Sequence, residues 1–222
     1  FGYLTLFEAG SDIEKALAAL PERRRAAEVA WKPFPTGRAA HGGIDMALEL
    51  RTQCDPAAIQ AVEIEATPLI LHLVGRPIVQ PLEVNYARLC LPFAVAVALK
   101  RGGVDLTSFA PEVLQDRDIH ALAARVTVRR NGVADPAAFT PQSMRIALND
   151  GQSIETRREV LLGAPARPLS PAQQRGKLDG NIAYAFGAPR SALGDALTIA
   201  CADLEQVRDV AHLAILAAGT SS

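Results

Sequence analysis

Asn149, Asp150 and Gly151 stand between two strand candidates, residues 144–148 and 153–161. Asp-Gly tolerates the positive φ of a tight turn, so the spacing predicts an antiparallel hairpin. A third strand candidate covers 125–130. A fourth lies upstream, at 61–67, where Val62, Ile64 and Ala66 alternate with Glu63, Glu65 and Thr67. That alternation predicts a strand with one wet face. A chain that must hold this hairpin cannot be all-helical, yet most of its other patterns are helical.

The helical signals flank and interrupt the strands. Ser11 and Glu14 make a capping-box pattern, followed by Ile13, Leu17 and Leu20 at helical spacing and by Pro21 as a stop. Glu22 to Glu28, with Arg23, Arg24 and Arg25, reads as a solvated turn or short helix. Residues 38–53 carry one apolar face through Ile44, Ala47, Leu48 and Leu50. Asp55-Pro56 opens a short helix, because Asp caps and Pro suits a first turn. Residues 85–101 form the most apolar helical candidate. It either begins at Pro92 or is kinked there, and Gly102-Gly103 ends it. Another short helix is expected at 118–124. A proline-rich linker at 163–171 leads to three more helices, at 171–186, 191–200 and 204–217.

This order is not an alternating β-α series and predicts an α+β fold. Residues 31–166 are expected to form a small mixed α/β domain with an antiparallel hairpin. Residues 1–30 and 167–222 would be helices belonging to an all-α domain. The 222 residues suffice for one large domain or two small ones.

Bulk properties exclude several function classes. A net charge of −1 gives no general attraction to nucleic acid or to an anionic membrane. No stretch is long and apolar enough to span a bilayer. Cys54, Cys90 and Cys201 have neither zinc nor iron–sulfur spacing and suggest no disulfide framework, so buried thiols in a reducing, cytoplasmic compartment are expected. No signal peptide opens the chain, and Phe1-Gly2-Tyr3 reads like the middle of a longer protein. No nucleophile elbow, phosphate loop, dinucleotide fingerprint or HExxH is present.

The most unusual stretch is residues 31–41. Trp31, Lys32, Pro33, Phe34 and Pro35 make a stiff extended segment, since each proline fixes its own φ and restricts its predecessor. Lys32, Arg38 and His41 then gather near a helix start, with Arg38 and His41 three apart and so on one helical face. Cations beside a helix N-terminus make a carboxylate-binding corner. Partial burial of Lys32 between Trp31 and Pro33 would lower its pKa and suit it to proton transfer. The plainer reading is a surface lysine and arginine with a histidine that satisfies a backbone group. Elsewhere His72 reads as a core or interface residue, His120 and His212 as structural, and Glu63 and Glu65 as solvated. Asp179 and Asp195 have no partner that the sequence identifies.

The order of motifs resembles the C-terminal half of the MmgE/PrpD family, which includes 2-methylcitrate dehydratase, cis-aconitate decarboxylase and iminodisuccinate epimerase. Lys32-Pro33-Phe34-Pro35 followed by His41 is similar to the family's Lys-x-aromatic-Pro motif with a histidine nine residues after the lysine. Residues 87–103 are similar to its "small–Lys–aromatic–Ser–x–Pro–Tyr–x–x–Ala" helix ending in Gly-Gly-Val, with Phe109 as the next anchor. Asp150-Gly151, Gly163-x-Pro, Pro168-Leu169-Ser170 and Lys177 resemble its hairpin, exit linker and returning helix. The resemblance covers about residues 2–178.

What the resemblance implies is a two-domain parent with the active site in the cleft between a helical domain and an α+β lid. Lys32 would line that cleft as the catalytic residue, with Arg38, His41 and Phe93 as substrate-binding positions. No cofactor and no metal are implied. The expected partners are a small polycarboxylate substrate and a second copy of the chain in a homodimer. Three positions depart from the pattern: Phe93 where many members have tyrosine, Gly37 where the decarboxylase branch has histidine, and Cys90 in place of serine. The expected chemistry is proton abstraction next to a carboxylate, followed by loss of water or carbon dioxide or by reprotonation. The rival is a non-catalytic assembly domain that uses the apolar helix at 85–99 to meet a partner.

Overall fold

The computed structural model describes Glu14, Ala18 and residues 28–219. The helix expected from Ser11 and the arginine-rich turn after it therefore lie outside the described residues, save that Glu14, Ala18 and Glu28 are each helical. The fold is α+β: nine α-helices among the described residues and one open, mixed four-stranded sheet.

The strands are β1 (Ile59–Ala66), β2 (Val126–Arg130), β3 (Gln142–Leu148) and β4 (Ser153–Arg158), in the spatial order β2-β1-β3-β4. β3 and β4 form the expected hairpin, and Gly151 takes the positive φ, +84°, that the turn requires. β1 runs antiparallel to β3 but parallel to β2. A parallel pair needs a long crossover, and residues 67–125 supply it with helices. The alternation sorts the faces: Val62, Ile64, Met144 and Ile146 are buried, while Glu65, Arg145, Glu155 and Arg157 face water. Glu63, on the wet face, is half-buried and pairs with Arg129 at 2.8 Å.

Helices α1 (His41–Leu50), α2 (Pro68–Val74), α3 (Val84–Ala87), α4 (Leu91–Arg101), α5 (Pro111–Leu114) and α6 (Arg117–Ala123) come from the first two-thirds of the chain. α1 and α4 pack together, with α1 against β3 and β4 and α4 against α6 and β2. The apolar candidate at 85–101 does restart at Pro92, which occupies the first turn of α4 where a missing N–H costs nothing. Gly102, at φ +75°, caps it. Every residue from Leu91 to Leu99 is buried, so α4 is the central helix of this core. Two helices were not expected. In α2, Pro68 stands in the first turn and the Thr67 hydroxyl accepts from the Ile70 N–H. In α5, Pro111 likewise opens a single turn.

α7 (Pro171–Phe186), α8 (Ser191–Ala202) and α9 (Ala211–Ala217) follow the linker. Ser170 and Gln173 form a capping box at the start of α7. Arg175 binds Asp179 and Asp195, at 2.8 and 2.5 Å, and so ties α7 to α8. The single helix expected at 204–217 is instead a short 3-10 turn, Leu204–Gln206, and then α9, at whose start the Asp209 side chain accepts from the Ala211 N–H.

Candidate active site

The stiff segment at 31–37 is held at both ends. The Trp31 N–H donates to the Gly163 carbonyl at 2.8 Å, joining the chain where it enters and leaves the sheet-bearing part. Gly163 has φ +87°, and the Trp31 carbonyl lies 2.1 Å from where a Cβ would stand, so only glycine fits. At the other end the Gly37 N–H donates to the Arg88 carbonyl at 3.0 Å. A Cβ on Gly37 would meet Leu89 Cδ2 at 2.7 Å, which lets the segment lie directly on the turn after α3.

Between these ties lies an open groove of about 510 Å³, lined by Lys32, Thr36, Asn85 and Arg88 with Pro35, Gly37, Leu89 and Leu106. It has two cations and a side-chain amide, and none of its lining residues is acidic. Asn85 and Arg88 are three apart on one helical turn, so they share a face. The Arg88 guanidinium carbon lies 5.4 Å from the Phe109 ring centroid, a cation–π contact that fixes its plane. Its Nε is buried without a hydrogen-bond partner among the described residues. A buried donor left without a partner costs about 1–3 kcal/mol.

The sequence-derived site residues do not all converge here. Lys32 lines the groove, but it is exposed, and the partial burial expected between Trp31 and Pro33 is not found among the described residues. Arg38 points elsewhere, over the Phe139 ring at 5.2 Å. His41 is 1% exposed, edge-on to Phe34 with ring centroids 5.6 Å apart. Its pKa is lowered to about 4, chiefly by burial; backbone hydrogen bonding to Thr36 opposes this, and the charges of Lys32 and Arg38 add to it. A neutral imidazole contributes no positive charge, so Arg38 and His41 do not form the cationic corner that their spacing suggested. Phe93 is 0% exposed and packs between Phe109 and His120, with centroids 6.4 and 6.0 Å away. It is a core side chain, and no substrate contact is open to it in this arrangement. His72 is exposed on α2, not in the core, whereas His120 is structural as expected, its Nε2 lying 2.7 Å from the Leu114 carbonyl.

Sequence reasoning missed Arg88 and Asn85. The signal for Arg88 was there: it occupies the basic position of the "small–Lys–aromatic" motif. Also missed was a charge network on the other side of the 33–35 segment, on the wall of a larger cavity of about 820 Å³. Asp45 and Glu49, one turn apart on α1, both bind Arg158 of β4, and Asp45 also binds Arg167 at 2.6 Å. The Thr156 hydroxyl donates to Glu49 at 2.7 Å and, ahead of Arg158, holds that carboxyl below its usual pKa. No group of His, Cys, Asp and Glu suited to a metal ion occurs among the described residues.

A model of the MmgE/PrpD C-terminal domain matches residues 34–200. The chain belongs to the MmgE/PrpD family. The match spans the sheet, the groove's α3 wall and helices α7 and most of α8; Lys32 and Pro33 fall just before it. The family includes dehydratases and other lyase-type enzymes. No curated protein matches the chain. No described helix is long and apolar enough to cross a membrane.

Proposed function

We propose that this MmgE/PrpD chain forms part of a cofactor-independent lyase or isomerase acting on a small polycarboxylic acid, with Lys32 as its catalytic residue. One observation carries the reading: Lys32 lines a groove that holds a second cation and an amide but no carboxylate. Such a lining suits an organic anion and repels nothing about it.

In this reading a proton leaves the carbon next to a substrate carboxylate, and negative charge builds on that carboxylate. A fixed cation at that position stabilises the developing charge, and such electrostatic stabilisation can be the largest single contribution to rate. Lys32 serves by its charge, by donating a proton, or both. Water or carbon dioxide then leaves, or the carbon is reprotonated. Lys32 is exposed among the described residues, so the cover that excludes water has to come from another part of the assembled protein. Gly37 stands where the decarboxylase branch has histidine, which speaks against cis-aconitate decarboxylation in particular. A cytoplasmic homodimer belongs to the same proposal.

The test is Lys32→Ala in the full-length protein, assayed on citrate-like, aconitate-like and aspartate-derived acids. Turnover should fall by about 10³-fold or more, with the circular dichroism spectrum unchanged. Near-normal turnover in that variant removes the enzymatic reading.

The assembly reading loses the surface first assigned to it, because α4 is buried in its own core. It keeps a different one. α8 and the segments after it expose Ile199, Leu204 and Val210, and Ile199 is 72% exposed. Absence of turnover on all these acids by the wild-type protein, with a stable complex through α8, would favour that second reading.

A further inference from the structure

The Arg88 side chain has an aromatic contact but no charged partner among the described residues. Its guanidinium face rests on Phe109, its Nε is buried without a partner, and it forms no ion pair with any described residue. Two other arginines are satisfied by carboxylates: Arg158 by Asp45 and Glu49, Arg175 by Asp179 and Asp195. Of these three, only Arg88 lines a cavity without a carboxylate partner among the described residues. Its own carbonyl accepts from Gly37, so it is fixed relative to the segment that carries Lys32.

A guanidinium held in plane presents parallel N–H donors that match the two oxygens of a carboxylate. Lys32 on the same groove offers a compact point charge. Two cations of different geometry, with Asn85 beside them, fit an anion that carries more than one carboxylate.

We propose that Arg88 binds a second, non-reacting carboxylate of the substrate, so that the groove selects di- and tricarboxylates over monocarboxylates. The assignment rests on the reading of the Lys32 groove as the substrate site and adds a specificity-determining residue to it. Arg88 grips the far carboxylate and Lys32 meets the carboxylate beside the reacting carbon. No bond to Arg88 is made or broken.

Calorimetric titration of the full-length protein with succinate, citrate and butyrate tests this without reference to turnover. The wild-type protein should bind succinate or citrate at least about 10-fold tighter than butyrate. Arg88→Ala should weaken the tighter-binding acid by about 10- to 100-fold and leave butyrate unchanged. Arg88→Lys should recover only part of the loss, because lysine keeps the charge without the fork. If the alanine variant does not fold, by circular dichroism and thermal melting, the lysine variant decides: full wild-type affinity there overturns the proposal. Equal wild-type affinity for succinate and butyrate overturns it, as does no binding of either succinate or citrate, or unchanged affinity in Arg88→Ala. The two readings fail separately. If Lys32→Ala is inactive and Arg88→Ala binds normally, the function stands and the Arg88 assignment falls. If Lys32→Ala remains active, the enzymatic reading falls and takes this assignment with it.

Discussion

Two clusters of charge lie on opposite sides of the segment at 33–35, and they are built on opposite principles. Asp45, Glu49, Arg158 and Arg167 close on themselves: each carboxylate meets a guanidinium, and Arg158 is nearly out of water. Lys32 and Arg88 have no carboxylate between them, and the Arg88 Nε lacks even a neutral partner. The larger cavity lies beside the closed cluster and the smaller one beside the open pair. Cavity size and unmatched charge therefore point to different places. Charge that is already matched joins α1 to β4 and to the exit linker; charge left unmatched remains available to a ligand.

The sharpest way to break this contrast is to open the closed cluster. Arg158→Ala leaves Glu49 without its arginine and Asp45 with only Arg167. Breaking a largely buried pair by removing one partner costs about 3–5 kcal/mol. The urea midpoint of the variant should fall accordingly. A midpoint within about 1 kcal/mol of wild type would mean that the cluster is decoration.

A second test concerns His41, whose pKa the charge of Lys32 helps to lower. Its pKa falls from 6.5 to about 4 on folding, mainly through burial. The folded value is depressed, so the unfolded chain binds the proton first. The stabilising effect is complete above pH 6.5 and is lost as pH falls toward 4. A shift of that size corresponds to about 3 kcal/mol. Between pH 6.5 and about 5.5 ordinary carboxylates stay mostly ionised, so that part of the stability curve should flatten in His41→Phe. An identical slope in wild type and variant would sink the assignment. Below that range Glu49, also depressed on folding, contributes in the same direction, with its stabilisation lost as the pH drops.

What could be read from the sequence was whatever depends on near neighbours along the chain. The alternation in β1, the Asp-Gly turn and Pro92 at the start of α4 are local patterns with local causes, and each is found where its pattern lies. α2 was missed because its start signal, Thr67-Pro68, follows a strand without a break. The site was legible only in part, for a reason of geometry. Arg38 and His41 are neighbours on a helix, but one lies over Phe139 while the other is buried by Phe34. Spacing in sequence says that two side chains share a face; it does not say that the face meets a ligand. Arg88 reaches the Lys32 groove from 56 positions away through one backbone hydrogen bond. Arg158, likewise, reaches Asp45 across the fold. Such meetings follow from tertiary packing, and no local rule contains them.

The gentlest perturbation separates the two clusters most cleanly. Lys32→Gln removes one of the open charges and keeps a polar side chain of similar reach. Lys32 is exposed and forms no ion pair with any described residue, so folding has nothing to lose. Exposed substitutions of this kind stay within about 0.5 kcal/mol of wild type. The urea midpoint of Lys32→Gln should therefore match wild type, while the same measurement on Arg158→Ala shows a loss several times larger than the scatter. Comparable losses in both variants would mean that Lys32, too, is part of the scaffold. Its cost to turnover would then reflect a disturbed fold, and the groove would lose its claim to be the place where charge is kept in reserve.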